Sequence, residues 1–126
     1  QEAVVKLAPR AGIELDENLT LAEKLKVVQK LMNEDDPRAI EVFSTIGVYL
    51  GYTLAYYSLF YDIKHLMLLG RVSSGKGGDL IIAKAKEVLN AEFKHLANIN
   101  LFMPDEKARR VGQSIAAASL AKYTTP

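Results

Sequence analysis

The sequence contains no cysteine, which excludes disulfides, thiolate metal sites and cysteine nucleophiles. That absence suits a reducing compartment, and a cytoplasmic location is expected. An excess of either charge is missing too: 16 Lys and Arg stand against 15 Asp and Glu, giving a net charge of +1. Such a chain has no general attraction for nucleic acid or for an anionic membrane, and neither is expected as a partner. The tight basic cluster Lys107, Arg109 and Arg110 reads as a solvated helix face. No signal-peptide pattern opens the chain, and Gln1 rather than Met stands first, so a longer parent polypeptide is expected.

Charge is also absent from one long internal stretch, Val42 to Tyr61. Twenty uncharged residues raise the question of a membrane span. The stretch, however, holds five of the six tyrosines, spread along its length rather than gathered at its ends. Tyrosine collects at membrane interfaces, not at the bilayer midplane, so a helix buried in a water-soluble protein is expected.

What is present fits one domain: 126 residues, 49% apolar and 25% charged, enough to bury a core without covalent staples. Residues 1–19 form a lead-in in which Glu2 to Leu7 could be a short helix, closed by Ala8-Pro9 and Gly12. Thr20 and Glu23 then have the spacing of a capping box, followed by Leu21, Leu25, Val28 and Leu31 or Met32 at helical intervals. Asp36-Pro37 opens a second helix, with Asp36 as cap and Pro37 where its missing N–H costs nothing. Ile40, Phe43, Gly47, Leu50, Leu54, Tyr57 and Tyr61 carry that helix to about Tyr61. His65 to Gly70 reads as a short buried strand ended by glycine. A Ser/Gly-rich loop follows, then a helix over Asp79 to Phe93 with Leu80, Ala83, Val88 and Leu89 inward. A second strand is expected at Asn98 to Phe102, and a last helix from Pro104-Asp105 with Val111, Ile115 and Ala118 inward.

The expected order is helix, helix, strand, helix, strand, helix: an α/β, helix-rich chain. Two strands joined by a helix run parallel. Two strands make a poor sheet with an open edge, so 1–126 reads as a single partial domain that needs more strands from a partner. That partner would be the remainder of a parent polypeptide or a second copy, and a homo-oligomer is expected.

Gly70-Arg71-Val72-Ser73-Ser74-Gly75-Lys76-Gly77 nearly spells the phosphate-cradling pattern G-x-x-x-x-G-K-[ST], between a strand and a helix. Gly77 stands where the Mg²⁺-binding hydroxyl belongs. A second reading uses more of the chain. Ile46 to Ala55, Leu66 to Ser73 and Arg110 to Ala118, taken in order, resemble the last third of ROK-family proteins, actin-like (ribonuclease H-like) sugar kinases and their relatives. The resemblance runs from about Thr20 to Leu120. It implies a partial actin-like ATPase domain, the C-terminal part of an ATP-dependent sugar kinase. Gly70, Arg71, Val72 and Ser73 would lie beside the adenosine of ATP, with Lys76 toward solvent. Mg²⁺ would bind only in the intact parent. Arg71 departs from the glycine common in that turn. The family's Asp-x-Gly-x-Thr phosphate motif, catalytic aspartate and Cys-rich zinc motif are missing, so no catalytic or metal-ligating residue is assigned and the chain alone is expected to be inactive. The alternatives are a non-catalytic, sugar-responsive ROK-type regulator, a P-loop module, and an interaction module whose tyrosine-rich helix packs on a partner. Gly47 and Gly51 are read as close helix packing. Asp62 and Asp79 are read as turn-making and capping residues, and His65 and His95 as separate histidines without a third partner.

Overall fold

A computed structural model describes residues 1–105. The expected last helix, the segment Arg110 to Ala118 and the basic cluster lie outside the described residues. Along the chain come α1 (Glu2–Leu7), a 3-10 turn (Pro9–Ala11), α2 (Leu21–Asn33) and α3 (Pro37–Tyr57). They are followed by β1 (His65–Met67), a 3-10 turn (Arg71–Ser73), α4 (Gly75–Glu92), a 3-10 turn (Lys94–Leu96) and β2 (Asn100–Phe102). The architecture is α/β and helix-rich, with the strands parallel and in the register His65 to Asn100, Leu66 to Leu101 and Met67 to Phe102.

The helix starts follow their capping chemistry. Glu23 N–H donates to Thr20 Oγ1 at 3.3 Å, and Glu23 Oε2 accepts from Thr20 N–H at 2.8 Å, which completes the capping box of α2. At α3 the Asp36 carboxylate accepts from Arg38 N–H at 2.9 Å, with Pro37 behind it. α4 departs from expectation by starting at Gly75, four residues before Asp79, with Ser74 as its cap residue. Asp79 therefore sits exposed within the helix rather than at its start.

Two apolar clusters hold these elements. The first joins α1, α2, α3 and the front of α4 through Val4, Leu25, Val28, Phe43 and Ile81, all essentially without exposure. Full burial of an aliphatic or phenyl side chain contributes about 1.5–3 kcal/mol each. The second lies between the rear of α3, α4 and the inner face of the sheet, around Leu54, Ala85, Leu89, Ile99 and Leu101. The seam on α4 is Ile81, Ala85 and Leu89, with Leu80 at its border and Ala83 exposed.

α3 and α4 approach most closely where glycine allows it. A Cβ on Gly47 would stand 2.6 Å from the Ile81 carbonyl oxygen, and one on Gly51 would stand 2.8 Å from Val88 Cβ. The packing reading of these two glycines is therefore correct. The strands are shorter than expected, and β1 is not a buried strand. Leu66 and Leu101 face α4, while His65, Met67, Asn100 and Phe102 on the opposite face are exposed. α3 also ends at Tyr57 instead of Tyr61, leaving Tyr57 and Tyr61 exposed rather than on the core stripe. No helix among the described residues is long and apolar enough to cross a membrane.

Candidate functional site

The site residues expected from sequence are the turn that leaves β1 and enters α4. Gly70 has φ 106° and ψ 175°, a backbone conformation that an L side chain adopts only under strain. A Cβ there would meet nothing within 4 Å, so the glycine answers to the backbone and leaves open space on its surface. The Gly70 carbonyl accepts from Ser73 Oγ at 2.6 Å and from Ser73 N–H at 3.2 Å, which closes the turn around a fully buried serine. Val72 packs half-buried on the first cluster, while Arg71 is exposed. Gln29 of α2 donates to the Arg71 carbonyl at 2.7 Å and ties the turn to the helix pair before it. Gln29, Asn33, Ser74, Gly75 and Gly77 line a small cavity of about 130 Å³ between α2 and the start of α4, which Gly70 to Ser73 do not line. The structure thus holds Gly70, Arg71, Val72 and Ser73 in one short turn, and adds Gln29 of α2 through the Arg71 carbonyl.

The phosphate-loop resemblance of the same segment has a different physical content. Gly77 lies against the Phe43 ring, where a Cβ would come within 2.6 Å of Cε1, and Gly78 lies against the Ser73 carbonyl. Both glycines serve the packing of the first turn of α4 on α3 and on the 3-10 turn. Lys76 does not aim at the helix N-terminus. Its ammonium donates to Asp35 Oδ1 and Oδ2 at 3.1 and 3.2 Å and to the Asn33 carbonyl at 3.4 Å. Asp35 itself has φ 57° at the corner between α2 and α3. Lys76 is therefore a half-exposed ion pair, not a free solvent-facing cation.

The two histidines, far apart in sequence, are brought to one opening by the parallel register. Lys64, His65, His95, Asn98 and Asn100 line a cavity of about 680 Å³ together with Asp62. Asn100 Nδ2 and His65 Nδ1 are 3.4 Å apart across the strand pair. Pairing of residues 65 and 100 was not readable because it depends on where α4 returns the chain. No group of three His, Asp or Glu suited to a metal ion occurs among the described residues. Asp62 forms a loose, exposed pair with Lys64 at 3.9 Å.

Elsewhere electrostatics are mild. Arg38, by side-chain and backbone hydrogen bonds, holds the Asp36 carboxyl down at about 2. Tyr52 donates to Glu92 Oε2 at 2.6 Å, and this bond to a carboxylate raises the phenol above its ordinary value. Neither group adjoins the turn at Gly70.

No family model, curated protein or solved structure matches this chain.

Proposed function

We propose that this chain forms the adenosine side of the nucleotide cleft in an ATP-dependent sugar kinase of the ROK type. The observation that carries the reading is Gly70, whose backbone alone requires glycine and which has open space where a side chain would stand. A turn with no side chain lets a flat base and its ribose lie against the backbone. The groups beside the turn suit that role: Gln29 and Ser74 are uncharged and present amide and hydroxyl groups. The Arg71 guanidinium, on the exposed side of the turn, would cover the nucleotide or meet its phosphates.

No acidic cluster that could hold a magnesium ion occurs among the described residues. Mg²⁺ and the general base that activates a sugar hydroxyl would come from outside these residues. The Lys76–Asp35 pair and the packing of Gly77 on Phe43 favour this reading over a P-loop.

Titration of the ¹⁵N-labelled chain with millimolar adenosine, ATP and tripolyphosphate tests the proposal. Adenosine and ATP should shift the same amides, at Gly70 to Ser73 and the Gln29 side chain, with affinities within about tenfold, because most contacts are to base and ribose. Gly70→Val should remove those shifts. Tripolyphosphate binding at Gly75 to Gly78 without any response to adenosine would overturn it.

A further inference from the structure

The surface that the nucleotide reading leaves unused is the outward side of α3. Successive helical residues turn by about 100°, so Tyr49, Thr53 and Tyr56 lie opposite Gly47, Gly51 and Leu54, which face α4. Tyr52 turns back onto Glu92 and the Phe93 ring at the end of α4. Outer helix faces normally carry charge, but none occurs between Val42 and Tyr61. Instead Tyr49 is 66% exposed, Tyr56 61% and Phe60 66%. Tyr56 contacts Phe60 and Tyr57 edge to face, with ring centroids 5.6 and 5.9 Å apart, so these rings form one continuous surface. Among the described residues, the charged groups Glu41, Lys84, Glu87 and Glu92 border it. An aromatic, charge-free centre inside a charged rim is the composition of a protein interface.

We propose that this face is a two-fold interface between two copies of the chain. The i±4 row of α3 reads Thr45, Tyr49, Thr53, Tyr57, alternating small and large. Rows of this kind are the ridges that interdigitate when helices pack. An antiparallel second copy sets Tyr49 over the partner's Thr53 and Thr45 over the partner's Tyr57, and two-fold symmetry repeats both contacts. The same row supplies the knob and the gap, so one surface complements itself. The area reaches the low end for a specific interface: Tyr49, Tyr56, Tyr57 and Phe60 at roughly 100 Å² each, with the threonines between them, give about 500 Å² per partner, or about 1,000 Å² in total. An uncharged face also gives a second identical copy no like-charge repulsion to overcome.

Sedimentation equilibrium of the full chain from micromolar to millimolar concentration tests this. The expected result is a reversible transition from 13.9 kDa to twice that mass. Tyr49→Lys and, independently, Thr53→Arg should each weaken it by about tenfold or more, as expected for the loss of an interface anchor. Both positions are exposed, so the circular dichroism of the variants should be unchanged. Because the chain has no cysteine, Tyr49→Cys and Thr53→Cys give clean single thiols. A mixture of the two should oxidise to the 49–53 disulfide faster than either alone forms its homodimer. A chain that stays monomeric, a dimer indifferent to both charge substitutions, or equal cross-linking of all pairs would overturn the proposal. The face would then be covered by some other segment or protein. The outcome is independent of nucleotide binding at Gly70.

Discussion

Lys76 reaches back across the fold to Asp35, with its ammonium 3.1 and 3.2 Å from the two carboxylate oxygens. The pair ties the first turn of α4 to the corner between α2 and α3, and its side chains are 53% and 70% exposed. Lys76→Ala should therefore lower stability by less than ~1 kcal/mol, the usual size of an exposed ion pair. Gly77→Ser, which completes the phosphate-loop pattern on paper, should cost more because its Cβ enters the Phe43 ring; overpacking of this kind costs ~1–3 kcal/mol. Urea melts of the two variants measure both effects. A Gly77→Ser protein as stable as the parent would show that Phe43 can move aside.

Capping residues and helical periodicity were readable because they act within a few positions of themselves. Thr20 with Glu23, and Asp36 with Pro37, gave the starts of α2 and α3 for that reason. α4 starts earlier than its local sequence indicates because three glycines argue locally against helix, whereas Phe43, more than thirty positions earlier, supplies the surface on which Gly77 packs. The end of α3 differs from its sequence pattern for a related reason. Tyr57 and Tyr61 continue the apolar spacing but face outward, and spacing alone cannot distinguish a core from an interface. At the candidate site the Gly70 turn was legible from its glycine after an apolar run. The contribution of Gln29 was not, since nothing local marks a helix residue that will bond a distant turn.

The α3–α4 seam gives a direct stability test. Gly47→Ala sets a methyl group against the Ile81 backbone carbonyl, which cannot rotate away, while Gly51→Ala meets the Val88 side chain. Both should destabilise, by ~1–3 kcal/mol, with Gly47→Ala at the upper end because backbone yields less than side chain. Thermal melts compare them. Equal or raised melting temperatures would mean that the two helices separate without cost.

A steady-state assay of the purified chain with ATP and a panel of hexoses should give no phosphoryl transfer. Transfer needs a carboxylate to take the hydroxyl proton and a held Mg²⁺, and the Asp-x-Gly-x-Thr motif that the proposed kinase reading requires for phosphate does not occur in the sequence. Turnover abolished by Asp62→Ala or Asp79→Ala would overturn this expectation and move the chemistry onto this chain.

Stability should fall in acid by an amount traceable to Asp36. Its carboxylate caps α3 by accepting from Arg38 N–H at 2.9 Å, and it also accepts from the Arg38 guanidinium at 2.8 and 3.1 Å. These bonds favour the charged form and lower its pKa from 3.8 to about 2 in the folded chain. A carboxyl depressed on folding contributes stability that is fully present above its unfolded value. The contribution is lost as pH falls from about 4 toward 2, because the unfolded chain takes up the proton first. Glu23, lowered by its backbone hydrogen bond from Thr20, acts in the same direction. Asp36→Asn keeps an acceptor at the cap but has no proton to bind, so it should leave the helix start intact and flatten the fall in melting temperature between pH 4 and 2. Near pH 7 the variant should melt slightly lower, since Arg38 loses its charged partner. Melting temperatures of both proteins across pH 2 to 7 decide the matter: curves that fall in parallel through the acid range would assign the loss to other carboxylates and leave Asp36 a neutral cap.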